Sequence, residues 1–193
     1  MTTQPCRPKV LHYTTRDHLK AMLRLEVLVL VPIYCLGLIP FTVLLAWLSR
    51  RMDCLLGLPS LAQWLPHSTR LAILLVCLAI GGLWIAWVYT FLVLEGGGGP
   101  VPPFSSRSST LVMCGPYALA RHPSVWGKLL GVVGLGVYVA SPFFLFVMIP
   151  LLCTFSFTYT LRAQDRDMVK FFGAEYLRYR ERTPFILPRM PWR

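Results

Sequence analysis

Leu71–Leu94, LAILLVCLAIGGLWIAWVYTFLVL, is 24 residues long and carries no charge. At about 1.5 Å per residue, a helix of that length exceeds the roughly 30 Å hydrocarbon thickness of a bilayer. The stretch reads as a membrane-spanning helix, with Trp84 and Trp87 as packing residues. The rest of the chain agrees with this: 193 residues, 55% of them hydrophobic, and a mean hydropathy of +0.59, which is too apolar for an ordinary soluble domain.

Upstream, Leu25–Leu48 is a second run of 24 residues, interrupted by Pro32 and Pro40, with Glu26 at its very edge. A spanning helix tolerates such prolines where neighbouring helices cover the freed carbonyls. Residues 1–24 carry Arg7, Lys9, Arg16, Lys20 and Arg24 against the single acid Asp17. That lead is too polar and too long for a cleaved secretory signal, so the first span is expected to remain as an anchor. Between the two spans, Ser49–Arg70 reads as a loop with Arg50, Arg51 and Arg70. Within it LLGLPSLAQWLP is expected to lie in the interface, Trp64 at headgroup level.

Downstream, EGGGGPVPPFSSRSS (Glu95–Ser109) must be a loop. Its glycines are not followed by GxxxxGK[ST], so a nucleotide cradle is not indicated. Between Lys128 and Arg162 lie 33 uncharged residues, about 50 Å if they formed a single helix, and Ser141-Pro142 is the best point for a turn. This predicts a helical hairpin of Trp126–Ala140 and Pro142–Leu161. Gly127, Gly131 and Gly134 fall near one face, open either to a close helix crossing or to close approach of a ligand. From Arg162 the chain is amphipathic, with Met168, Phe172, Tyr176 and Tyr179 on one side. Gly173 is expected to interrupt this helix and Pro184 to end it. Tyr176 and Tyr179 read as packing or interfacial residues.

The resulting expectation is an all-α integral membrane bundle of about four spans, the third and fourth forming the hairpin, with an amphipathic cytoplasmic C-terminal helix. Its parts are an N-terminal tail (1–24), the first two transmembrane helices (25–94) and a core (95–193). The formal charge of +11 sits at the ends of apolar spans and not in one stripe, which points to anionic lipid headgroups and away from nucleic acid. The six cysteines are scattered, with no CxxC pair to hold a metal or build a disulfide scaffold. On a four-span topology the tail, the Glu95–Val125 loop and the C-terminal segment hold 5, 2 and 8 Lys or Arg residues against 3 on the other side. That bias places both termini and this loop in the cytoplasm.

Beside the third span lies GPYALARHPSVWGKLLG (Gly115–Gly131), which packs polar groups where they are costly unless they serve a cavity or a partner. GPYALARHPSVWG resembles the GPY…RHP.Y.G signature of the membrane methyltransferases that include isoprenylcysteine carboxyl methyltransferase and the phospholipid methyltransferases. RAQDRDMVKFFGAEYLRYRERTPFILP is similar to the closing R.EE..L...FG.EY..Y..R.P..LP of the same family. The likeness covers roughly Glu95–Pro188. It implies S-adenosylmethionine as methyl donor and a lipophilic acceptor entering from the bilayer: a prenylated small molecule or protein, a phospholipid amine, or a thiol.

Carried over by motif, Gly115, Tyr117, His122, Pro123 and Ser124 fall on the cofactor-contacting signature. Leu111 and Val112 fall on the stretch that approaches the cofactor by its backbone. Gln164 and Asp165 take the places of the paired glutamates, and Arg162 matches the arginine before them. Arg121 and Arg162 each present a planar pair of donors to a carboxylate, the cofactor's or an acceptor's, and are the two residues assigned to the reaction. Asp165, three residues from Arg162, shares its helical face and suits the cofactor's ammonium. A carboxylate acceptor needs no general base; an amine acceptor does, and His122 is the nearby group for it. Two departures stand out: Gln164-Asp165 replaces Glu-Glu, removing one negative charge, and Val125 replaces the usual Tyr. With that pair changed, a non-catalytic lipid or cofactor binder is the alternative reading.

Overall fold

The computed structural model describes residues 41–96 and 110–186. The N-terminal tail, most of the Leu25–Leu48 run, all but the first two residues of the Gly/Pro-rich loop and the last seven residues lie outside that range. Among the described residues the regular structure is all helical, with no strand. In order they form α1 (41–55), a short 3₁₀ turn at Leu61–Gln63, α2 (His67–Gly96), α3 (Pro116–Leu119), α4 (Ser124–Val139), α5 (Ile149–Phe155) and α6 (Arg162–Arg182).

Two helical stretches, His67–Gly96 and Phe144–Arg182, are long and apolar enough to cross a membrane. A soluble core helix would pass the same test of length and composition, but it would be covered. In the most apolar 18-residue window of α2 only 11% of residues are buried, and Leu83 and Phe146 are 72% and 76% exposed. Holding each such side chain in water forgoes about 1.5–3 kcal/mol. The apolar exterior therefore calls for hydrocarbon as its solvent, and the chain reads as a membrane protein.

The chain divides into two compact units. Among the described residues, one comprises 86–96, 110–123 and 168–186; the other comprises 41–85 together with Ser124–Asp167. In the second unit α2 crosses α4 at glycines. A methyl group on Gly81 would stand 2.6 Å from the Gly127 carbonyl oxygen, and one on Gly134 would stand 2.7 Å from Cys77 Cβ. Gly127 and Gly134 thus serve the close crossing, the first of the two readings left open by the sequence.

Past Val139 the chain turns. Ala140 takes a left-handed conformation (φ 59°), its N–H donating to the Val137 carbonyl and that of Ser141 to the Gly136 carbonyl. These two bonds make a Schellman cap built on alanine, where glycine is usual because a Cβ costs about 1–2 kcal/mol there. The surroundings hold it in place. Arg70 donates to the Tyr138 carbonyl at 2.7 Å, Arg50 to that of Val139 at 2.8 Å and Ser60 to that of Ala140 at 3.1 Å. On the other side of the turn, Asp53 accepts from the Phe143 N–H at 2.9 Å and Ser141 Oγ from the Phe144 N–H at 3.1 Å. Cations thus meet a helix C-terminus and a carboxylate meets a helix N-terminus, as the helix dipole prefers.

The turn falls at Ser141-Pro142 as expected, while the Ser49–Arg70 loop needs correcting. Helix α1 runs on to residue 55 and α2 already begins at His67, so Arg50, Asp53 and Arg70 are helical residues. Helix α2 also takes in Glu95 and Gly96, and α4 begins two residues before Trp126. Beyond the turn, Pro150 has no N–H and crowds the preceding turn. The wide π-type turn at Phe144–Met148 absorbs that mismatch.

Replacing Asp53 with Ala leaves the partly buried Phe143 N–H without this acceptor and is expected to cost about 1–2 kcal/mol of stability, measured by unfolding in detergent micelles. Gly81→Ala should destabilise the protein in the same assay. Gly82→Ala, where nothing lies within 4 Å of the added methyl, should not.

Candidate functional site

The motif loop is shaped by glycine and proline. Gly115 sits at φ 57°, ψ −129°, a conformation closed to residues with a Cβ. A methyl there would also stand 2.5 Å from the Phe91 ring of α2. Pro116 then opens the single turn of α3, which ends at the extended Ala120. Upstream, Thr110 bonds back to the carbonyls of Glu95 and Gly96 at the end of α2 through its hydroxyl and its N–H. This tether carries Leu111 and the buried Val112 into the loop.

Two X-Pro dipeptides decide what happens next, because the residue before a proline is driven out of the helical region. His122-Pro123 stops the loop from coiling, and Thr183-Pro184 stops α6 at Arg182. The two non-helical pieces pair through their backbones. The Arg121 N–H donates to the Pro184 carbonyl at 2.9 Å and the His122 N–H to the Phe185 carbonyl at 3.3 Å. The Phe185 ring sits under both side chains, with the Arg121 guanidinium 4.8 Å from its centroid and the His122 ring edge-on to it at the same distance.

A third link comes from α6. Gly173 breaks the helix at φ 52°, ψ −126°, and the turn after it carries Tyr176 and Tyr179, both buried. The Tyr179 hydroxyl donates to the Tyr117 carbonyl at 2.6 Å, and its own carbonyl accepts from the Thr183 N–H at 2.9 Å. Burial, with the neighbouring Tyr89, pushes the Tyr117 hydroxyl well above the ordinary tyrosine range. It therefore keeps its proton at neutral pH.

Of the residues singled out by the sequence, Leu111, Val112, Gly115, Tyr117, Arg121, His122 and Pro123 fall in the first unit, with the C-terminal segment from Met168. Ser124, the first residue of α4, and Arg162, Gln164 and Asp165, in the first turn of α6, belong to the second unit. Arg162 there lies over the Phe157 ring at 5.4 Å. The site residues that the sequence reading did not single out are Tyr179, Pro184 and Phe185. Tyr179 and Pro184 stand on lettered positions of the closing Y..R.P..LP pattern, where Tyr179 reads as a packing or interfacial residue; Phe185 falls on an unspecified position and carries no signal of its own.

Tyr179→Phe removes one neutral hydrogen bond and leaves the Tyr117 carbonyl without this donor. A loss of about 1–2 kcal/mol in unfolding free energy is expected, with helical content unchanged by circular dichroism.

The chain is 38% identical over 86 residues to the cobalt-zinc-cadmium resistance protein CzcN of Cupriavidus metallidurans, a match covering 44% of this chain and 38% of that protein. It is 31% identical over 78 residues to the protein-S-isoprenylcysteine O-methyltransferase of Saccharomyces cerevisiae (40% and 32%). To the enzyme of the same name from Homo sapiens it is 34% identical over 91 residues (43% and 29%). The chain thus spans about a third of the length of these relatives. No solved structure matches it. The sequence profile of the phospholipid methyltransferase family matches residues 69–175, more than half of the chain, and the chain belongs to that family.

Proposed function

We propose that the chain is a multi-pass membrane enzyme that methylates a lipophilic acceptor from S-adenosylmethionine at the cytoplasmic face. The leading acceptor is the carboxylate of an isoprenylcysteine-like compound. The observation that carries this reading is the double backbone bond from Arg121 and His122 to Pro184 and Phe185. It joins the RHP element of the first motif to the R.P..LP end of the second within one compact unit. The relatives named for prenylcysteine methylation support the acceptor, and the Lys/Arg bias supports the orientation.

The residues present suit the cofactor. It bears a carboxylate, an ammonium, a sulfonium and a flat ring system. The Arg121 guanidinium, held over an aromatic ring, offers planar paired donors to a carboxylate. Tyr117, His122 and the backbone of Leu111 and Val112 are the proposed remaining contacts, and Gly115 lets the chain turn without a side chain. The proposed parts of Ser124, Arg162, Gln164 and Asp165 rest on the motif alone. When bound, the cofactor supplies a methyl group on a sulfonium, open to in-line displacement by a nucleophile. The chain's own task is then to bind and align the partners. A carboxylate acceptor arrives ionised. The family's name points to a phospholipid acceptor; a phospholipid amine would first give up a proton, and His122 is the group proposed to take it.

Membranes containing the protein, supplied with methyl-labelled S-adenosylmethionine and either a farnesylcysteine derivative or phosphatidylethanolamine, discriminate the two. Carboxyl methylation yields an ester whose label leaves as volatile methanol in alkali, whereas N-methylated lipid keeps its label. We expect the first. Arg121→Ala and His122→Ala should each lower the rate on the order of 10- to 100-fold, the worth of a charge-assisted hydrogen bond. Absence of label from both acceptors, with cofactor binding intact by calorimetry, would leave a non-catalytic binder.

A further inference from the structure

We infer that Phe185 is a positioning residue: its ring gathers the side chains of Arg121 and His122 into one arrangement competent to bind the cofactor, an inference that rests on the reading above. Side chains of neighbouring residues diverge where the backbone is not coiled, and His122, standing before a proline, is biased that way. Here both meet a single ring. The guanidinium carbon of Arg121 lies 4.8 Å from its centroid, inside the roughly 6 Å range of a cation–π contact. The His122 imidazole meets the same ring at 4.8 Å and 68°, the edge-to-face geometry aromatic pairs prefer. The backbone carbonyls of Pro184 and Phe185 accept from the N–H groups of the same two residues, so the ring is fixed relative to the atoms it serves.

Phe185 does not behave as a core filler. It remains partly exposed, whereas Tyr176 and Tyr179 on the preceding helix are buried. An arginine side chain has many rotamers and loses that freedom when it binds a carboxylate. A ring that already holds the guanidinium lowers the loss incurred at binding.

The test is a substitution series in purified protein in detergent. Phe185→Leu keeps an apolar side chain of similar size and removes the aromatic face. It should weaken S-adenosylmethionine binding by roughly 3- to 30-fold, while Phe185→Tyr should stay within about 3-fold of the parent. In an Arg121→Ala, His122→Ala background Phe185→Leu should have no further effect, because the groups it serves are gone. Unchanged binding by Phe185→Leu overturns the inference. So does a loss that persists undiminished in the double-alanine background, since that would mark a general structural role. A readout without cofactor separates this inference from the function it rests on. In protein labelled with ¹³C at the histidine rings, the His122 resonance, assigned by its loss in His122→Gln, should shift in Phe185→Leu and stay close to its place in Phe185→Tyr. If the parent fails to bind the cofactor but the resonance shifts, the functional reading fails and the positioning stands. A resonance that does not move sinks the positioning.

Discussion

Hydrocarbon offers no partner to a backbone N–H or C=O, so wherever a helix ends near the bilayer the protein itself must supply one. This constraint accounts for the polar residues gathered at the turn after α4. At the turn after α4, three carbonyls and two N–H groups are met by Arg50, Ser60, Arg70, Asp53 and Ser141. An unmet group there would cost about 1–3 kcal/mol, comparable to the strain of placing Ala140 in a left-handed conformation. The clamp and the strain belong together: side chains from α1 and α2 fix the turn tightly enough that glycine is not required.

The same constraint operates at the motif loop through a different device. Here the two ends that meet are both created by prolines. His122-Pro123 and Thr183-Pro184 each halt helical winding one residue early, leaving N–H groups on one piece and carbonyls on the other. Each piece answers the other, and the Tyr179 hydroxyl takes the remaining carbonyl of Tyr117. The outcome is a loop that, apart from the single turn of α3, has its shape determined by these pairings.

How much of this could be read beforehand depends on the range of the interactions. The α2 helix, the break at Ser141-Pro142, the interruption at Gly173 and the stop before Pro184 follow from residues acting on their own backbone, and the sequence is sufficient for them. Asp53 and the arginines at 50 and 70 look like loop charges because a cap supplied from 68 to 90 positions away leaves no local trace. Arg50 and Arg70 were counted only as markers of membrane orientation, yet each also closes a helix end. Pro150 was passed over for a related reason. Its effect on the helix depends on whether the preceding turn can widen, which the Phe144–Met148 segment does. Phe185 falls on an unspecified position of the closing pattern, and its place beneath Arg121 and His122 depends on a pairing between residues more than 60 apart.

That pairing bears on what the family likeness covers. The matched residues end at 175, before Tyr179, Pro184 and Phe185, while the GPY and RHP elements lie well inside. The motif loop nevertheless does not complete itself, since the partners of its Tyr117 carbonyl and of its Arg121 and His122 N–H groups all come from beyond that limit. A loop bearing the full signature without the Thr183–Phe185 segment would leave these groups to solvent or unpaired, and Arg121 without its ring. The GPY and RHP elements therefore do not complete their own shape: the partners of their backbone groups come from Tyr179 and from the proline-containing end of the closing motif.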